Sequence, residues 1–247
     1  MKVEEINTKI EICEAAIDLY LEDAFEIPKL VKKTGKTASE IYTLFPNKQS
    51  ILEFYYPSLI IRYRAMVGEI EGFETYTISE KLSNFIYTVF DMMDDRRAFV
   101  EETFHPMIGD RWTNTDFHNE VKELFKDFFT TDEHMAVSAA FLLNDYFYAF
   151  LRNQYLSLVN TWLDDESDDQ VRTMALTDKL TSFIEEVVYN KVVDKGLDLM
   201  KYIFTQTGLS DDINDFTDWF SGWCSDEEVE IDIEDEEASE DQPGAAS

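Results

Sequence analysis

The chain has 247 residues, and its 52 acidic against 21 basic side chains give a formal net charge of −31 at pH 7. Hydrophobic residues make up 45% of the sequence, which is enough for a folded core and excludes a wholly disordered chain. Eight glycines and five prolines are too few for a β-sandwich or barrel with many tight turns. Two distant cysteines exclude a disulfide framework, and no apolar run is long enough for a membrane helix. We therefore expect a cytoplasmic protein that does not associate with a membrane.

The first fifty residues are predicted to form three short helices. Apolar residues recur at intervals of three and four over about 7–22, which indicates the first helix. Pro28 suits the first turn of a second helix that Gly35 ends, and a third helix is expected to open at Thr37 or Ala38. The turn between the first two helices contains no glycine. This arrangement is the frame of a helix-turn-helix.

Longer helices are predicted for the rest of the chain, so the fold class is all-α. A helix from Lys48 carries Pro57 deep inside, where the missing N–H should kink or split it. Thr77 and Glu80 form a capping box before a helix that ends near Asp94. A short helix over 96–104 is expected to be closed by Pro106.

The segment 133–163 is the most hydrophobic of the chain. The aromatic and aliphatic residues of this segment cover nearly all sides of a helix, which predicts burial all round. A further helix is predicted over about 168–205. Two interpretations stay open: core plus dimer interface, or the lining of a ligand pocket. Residues from Ser225 onward contain no base and almost no large apolar side chain. We therefore predict domains at 1–50 and 51–225 and a disordered acidic tail at 226–247.

One short window of this acidic chain is basic. Residues 28–48 contain five lysines against Glu40 alone, a net charge of +4; these are Lys29, Lys32, Lys33, Lys36 and Lys48. A basic surface beside a helix-turn-helix frame favours nucleic-acid binding. The alternative is that the second helix has a solvated lysine face without further function.

The segment from Ile10 to Leu52 resembles the DNA-binding domain of the TetR family of bacterial transcriptional regulators. The residues that carry the likeness are Ala15-Ala16 with Leu19-Tyr20, Leu30 before Gly35, and Ile41-Tyr42-x-x-Phe45-Pro46-x-Lys48. The C-terminal half is similar to family members from the Bacteroidetes group through Trp162-Leu163-x-Asp165-x-Ser167 and Asp178-Lys179.

The resemblance implies a helix-turn-helix domain for double-stranded DNA. The opening of the third helix would face the base edges, through Thr37, Ala38, Ser39 and Glu40. Tyr42 and Lys48 would hold phosphates, and Lys36 would lie at the turn beside the DNA backbone. Glu40 either accepts a hydrogen bond from cytosine or indicates that DNA binding has been lost.

The resemblance also implies a homodimeric, ligand-responsive repressor that a small hydrophobic effector releases from a near-palindromic operator. The helices over 133–163 and 168–205 would pair with their two-fold mates as a four-helix bundle. The candidate effector-binding residues are Phe90, Met93, Trp112, Phe141, Asp145, Tyr148 and Arg152, with further polar groups from Asn144 and Gln154.

Other function classes have less support. His105, His118 and His134 lack the spacing of a metal site, and Gly35-Lys36-Thr37 lacks the upstream glycine of a phosphate-binding loop. We therefore expect neither an enzyme nor a cofactor. The alternative to a regulator is a protein of the same fold that has lost DNA binding and carries a lipid or another hydrophobic ligand. The acidic tail either competes with DNA for the lysines or only promotes solubility.

Overall fold

A computed structural model describes residues 3–109, 115–132 and 143–189, all within one compact unit. In these ranges the chain forms ten α-helices and no strand, which confirms the predicted all-α class. The helices are α1 Val3–Leu21, α2 Ile27–Thr34, α3 Ala38–Leu44, α4 Lys48–Glu53, α5 Tyr55–Val67, α6 Ile78–Asp94, α7 Arg97–Met107, α8 Asp116–Thr130, α9 Asp145–Leu163 and α10 Val171–Tyr189. None of the helices in the described ranges is long and apolar enough to cross a membrane.

The N-terminal helices α1–α4 form the predicted helix-turn-helix frame. Each contributes buried apolar side chains to a small core that includes Ile12, Ala16, Leu30, Ile41 and Ile51. Gly35 ends α2 with a φ of 68°, a left-handed conformation that glycine adopts without strain. In the turn between α1 and α2, Asp23 takes a φ of 52°, so an aspartate occupies the left-handed position that glycine usually fills.

The helix that was predicted to run from Lys48 past Pro57 is split in two. α4 ends at Glu53 and α5 begins at Tyr55, with the break at Phe54. Pro57 has no N–H to donate to the carbonyl of Glu53, so the break lies one turn before the proline. Ser58 resumes the helical pattern by donating its N–H to the carbonyl of Phe54 at 3.0 Å.

Helices α5–α10 form a helical body around an aromatic core. Phe85 of α6 lies 5.0 Å from Tyr155 of α9 between ring centroids, and Phe90 stacks on Trp162 further along both helices at 5.4 Å. α6 and α9 therefore run in the same direction where they meet. α8 runs in the opposite direction, since Phe117 contacts Tyr155 while Phe129, later on α8, contacts the earlier α9 residue Phe147.

Three predicted helix boundaries are wrong. The helix expected over 133–163 begins only at Asp145, because the side chain of Asn144 caps it by accepting from the N–H groups of Tyr146 and Phe147. The helix expected over 168–205 begins at Val171 after a short 3₁₀ turn, and its end lies outside the described residues. α7 continues through Pro106 to Met107, since Ile108 N–H still reaches the carbonyl of Phe104 at 2.7 Å. Residues 133–142, the acidic tail and Cys224 also lie outside the described residues.

Candidate functional site

The predicted base-contacting residues lie exposed at the start of α3. Thr37 is the N-cap of this helix, and Ala38, Ser39 and Glu40 form its exposed first turn. Tyr42 follows with 48% of its surface exposed, while Ile41 is fully buried. The part of α3 that was predicted to enter the major groove is therefore accessible.

Glu40 has a structural role that the sequence analysis missed. Its carboxylate Oε2 accepts hydrogen bonds from the N–H and the hydroxyl of Thr37, both at 2.7 Å, and Thr37 Oγ1 accepts from the N–H of Glu40. These bonds from Thr37 hold the pKa of the Glu40 carboxyl below its ordinary value. The Thr37-x-x-Glu40 spacing is the signature of a capping box, which gives the acidic residue at this position a structural role.

The five lysines of the basic window, which we call the lysine patch, differ in their surroundings. Lys33 Nζ pairs with Asp18 at 2.9 Å, and Lys36 Nζ lies 3.9 Å from Glu11, so α1 neutralises part of the patch. Lys48 Nζ donates to the carbonyl of Phe25 at 2.6 Å and lies over the Phe25 ring. Lys29 and Lys32 are exposed and have no ion pair with any residue that the structure describes.

A charge network joins α1 to the helical body. Arg96, in the turn between α6 and α7, donates to Glu14 Oε2 at 2.9 and 3.1 Å and to Asp18 Oδ1 at 2.7 Å. Arg62 of α5 donates to the other Glu14 oxygen at 3.0 Å. Partial burial opposes the charge on Asp18, but hydrogen bonds from Lys33 and Arg96 lower its pKa overall. Asp18 thus links the lysine patch to the body.

Aromatic contacts reinforce this junction. The Phe99 ring of α7 is fully buried and packs edge-on against Tyr20 of α1 at 5.6 Å and against Tyr55 of α5 at 5.3 Å. A cavity of about 580 Å³ opens nearby between α3–α4 and the facing ends of α7 and α8, lined in part by Phe45 and Phe54.

The predicted effector residues fall into separate environments. Phe90 and Met93 are buried in the core of the body, where Phe90 stacks on Trp162. Tyr148 packs against Phe129 at 5.9 Å, and burial raises its pKa to about 12. Trp112 and Phe141 lie outside the described residues.

Two charged candidates lie nearer the surface. Asp145 is exposed and pairs with Lys122 at 3.2 Å. Arg152 is half-buried, bonds to Asn153, and has a pKa lowered by burial. The structure therefore groups Phe90 and Met93 but leaves Asp145 on the surface.

A buried lysine was missed altogether. Lys81 of α6 is only 1% exposed, and its ammonium is enclosed. A sequence signal was available, because Lys81 occupies a position on the apolar stripe of α6 together with Ile78, Leu82 and Phe85.

Comparisons with known proteins agree with this architecture. Residues 81–203, about half of the chain, match the family model described as tetracycline repressor-like, C-terminal domain. No curated protein matches the sequence. The likeness of the C-terminal half to family members from the Bacteroidetes group stays a prediction. Within the residues that the structure describes, no cluster of three or more histidine, cysteine or acidic side chains is arranged to hold a metal ion.

Proposed function

The chain belongs to the TetR family of regulators, and on that premise we propose that it binds DNA as a homodimer and releases a near-palindromic operator when a small hydrophobic effector binds. One observation carries the DNA-binding part of the proposal. The exposed first turn of α3 follows the tight α2–α3 turn and lies beside the lysine patch. This is the arrangement in which a recognition helix reads base edges while neighbouring lysines contact phosphates.

The overall acidity of the chain is compatible with DNA binding at this surface. Charges more than about 8 Å away are largely screened at physiological salt, so the local charge decides the interaction. Lys29 and Lys32 supply positive charge that no described acidic group neutralises, and a dimer presents them twice. Lys33 and Lys36 must exchange their carboxylate partners for phosphates, which lowers the affinity gained. We expect modest affinity with a steep salt dependence.

The proposed release mechanism uses the connection between α1–α4 and the body. α5 enters the body directly from the break at Phe54, and Arg96 ties α1 to the α6–α7 turn. An effector that binds the body better when the two α3 helices of the dimer are further apart shifts the population away from the DNA-bound form.

Fluorescence anisotropy with a labelled random duplex tests the DNA-binding surface. Affinity is measured from about 50 to 200 mM salt, the range over which phosphate contacts are strongly weakened. Lys32→Gln removes an exposed lysine of the patch, and Lys126→Gln removes an exposed lysine of α8 as the matched control. Since each lost phosphate contact reduces the slope of log K against log salt by about 0.9, Lys32→Gln should reduce the slope of a dimer by about 2. Equal effects of both variants would refute the assignment of the patch.

A second candidate is a carrier of hydrophobic ligands that no longer binds DNA. The pairing of Lys33 with Asp18 and of Lys36 with Glu11 favours it, because α1 neutralises two of the five patch lysines. The same assay separates the candidates. A carrier does not bind the duplex even at about 50 mM salt. A regulator binds it there and loses affinity as the salt concentration rises.

A further inference from the structure

The cavity of about 580 Å³ lies where the N-terminal helices meet the helical body. It is lined by residues of α1, α3 and α4, by the α4–α5 break, and by the end of α7 and the start of α8. Small-molecule sites typically measure about 300–1,000 Å³, so this cavity is large enough for an organic ligand. None of the predicted effector residues that the structure describes lines it.

Two aromatic rings in the lining already bind a cation. Lys9, half-buried on α1, places its Nζ 5.4 Å from the ring centroid of Phe45 and 5.3 Å from that of Phe54. The two rings contact each other edge-on at 5.6 Å and so form one aromatic surface. An ammonium within about 6 Å of a ring centroid is attracted by the quadrupole of the ring. This part of the cavity therefore stabilises positive charge.

The charged side chains of the lining are mostly acidic. Glu53 and Asp116 carry carboxylates and Lys9 carries the ammonium, which gives the described lining a net charge of −1. Neither carboxylate forms an ion pair with a residue that the structure describes. Glu53 accepts a hydrogen bond from the amide of Gln49 at 2.6 Å, a neutral donor that leaves its charge uncompensated. A monocation is complementary to this lining, whereas an anion is repelled by it.

The same two rings occupy positions that connect the cavity to the proposed DNA-binding surface. Phe45 is the residue that ends α3, and Phe54 is the residue at which α4 and α5 meet. A ligand on these rings contacts both the end of the helix that is proposed to read base edges and the connection to the body. Any difference in ligand affinity between the DNA-bound and free forms is then transmitted reciprocally to operator affinity.

We propose that this cavity binds the effector and that the effector is an amphipathic organic monocation. Its charged group, such as a quaternary ammonium, packs on Phe45 and Phe54 in place of the Lys9 ammonium, which turns out to solvent. Its apolar body contacts the buried side chains of Ile108 and Phe117, which also line the cavity. The inference rests on the proposed ligand response and names the site and the chemical class of the ligand.

The experiment varies the charge of the ligand at nearly constant shape, on the purified full chain without DNA. Benzyltrimethylammonium is paired with its uncharged carbon isostere neopentylbenzene, and tetraphenylphosphonium is paired with the anion tetraphenylborate. Binding is followed by calorimetry and thermal shift. The salt concentration is about 150 mM, at which the diffuse attraction between a cation and a chain at −31 is largely screened.

Three variants change the cavity. Lys9→Met removes the competing cation and keeps the apolar stem, Phe54→Leu removes a ring and keeps an apolar side chain, and Glu53→Gln removes a negative charge. The matched controls are Lys126→Met and Glu123→Gln, which make the same changes of charge at exposed positions of α8.

At least one cation should bind the wild type more tightly than its neutral or anionic partner does. Lys9→Met should bind that cation about 2- to 5-fold more tightly, because the ammonium no longer competes for the rings. Phe54→Leu and Glu53→Gln should bind it about 2- to 5-fold more weakly, as expected for the loss of one cation–π contact or one partly screened charge. Both control variants should bind it like the wild type.

Binding of neither cation, or binding no tighter than that of its partner, overturns the proposal. Weaker cation binding by Lys9→Met overturns it too, and so do equal effects in the cavity and control variants, which would indicate diffuse attraction to the acidic surface. The wild-type comparison remains decisive even if a variant does not fold. A protein that binds these cations but no duplex contradicts the regulator and leaves this site standing, whereas a duplex-binding protein without cation preference does the reverse.

Discussion

Replacing Arg96 with methionine removes the guanidinium that ties α1 to the α6–α7 turn. Arg96 makes three hydrogen bonds to the carboxylates of Glu14 and Asp18, at 2.7 to 3.1 Å, while methionine keeps most of the apolar stem. About a third of each of these side chains is exposed, so solvent screening discounts each bond. We therefore expect a loss of about 1–2 kcal/mol in the free energy of unfolding, below the sum for three buried charge-assisted bonds.

The assay is thermal and urea unfolding of the full chain. A loss of this size lowers the melting temperature by about 2–8 °C for a protein of this length. Arg64→Met is the matched control. Among the residues that the structure describes, Arg64 has one ion pair, with the exposed Asp127, so its loss should cost less than about 0.5 kcal/mol. If Arg96→Met were no more destabilising than Arg64→Met, the network would not stabilise the junction.

The same network predicts a pH dependence with a defined sign. The pKa of Asp18 is lowered in the folded chain, so its stabilising contribution is present above the unfolded value of about 3.9 and is lost as the pH falls through the folded value. The difference in stability between wild type and Arg96→Met should therefore be constant near neutral pH and shrink below about pH 4. A difference that grew on acidification would contradict the assignment.

Three further changes test other parts of the structure. Glu40→Gln keeps the capping box with Thr37 but removes a negative charge, so binding to a random duplex should tighten roughly 3- to 10-fold at low salt. The melting temperature should fall only slightly, because the bonds from Thr37 that favour the carboxylate are weaker to an amide. Weaker binding in the anisotropy assay would contradict this. Asp165→Asn should cost about 1–3 kcal/mol in urea unfolding, because the carboxylate accepts from the N–H and hydroxyl groups of both Ser167 and Thr173; an unchanged unfolding midpoint would refute it. Pro57→Ala restores an N–H at the α4–α5 break and should change the effect of an effector on operator affinity more than either affinity alone, as measured by titrating each ligand with and without the other.

Local signals in the sequence predicted the helices well where a single motif sets a boundary. The capping box of Thr77 and Glu80 opens α6, and Gly35 ends α2, because both depend only on neighbouring residues. The box of Thr37 and Glu40 follows the same rule and was equally predictable. It was missed because Glu40 was interpreted only as a residue facing DNA.

Boundaries and contacts that depend on tertiary packing were not predictable in this way. The hydrophobic run over 133–163 conceals the start of α9, where one Asn144 side chain decides the boundary by capping. The ion pairs of Arg96 with Glu14 and Asp18 join residues about eighty positions apart, and no local pattern indicates them. Lys81 interrupts an apolar stripe, which marks it as unusual, but its burial follows only from the helices that cover α6.

Selection of genomic DNA fragments by the purified full chain is the most direct test of DNA binding as a homodimer. We predict enrichment of a two-fold symmetric consensus whose half-sites lie about one helical turn, 34–36 Å, apart on one face of the duplex. Substituting the exposed first turn of α3 at Ser39 should change the preferred bases without abolishing binding to a random duplex, since phosphate contacts carry no sequence information. Recovery of no enriched fragment, or of a consensus without two-fold symmetry, would contradict the regulator.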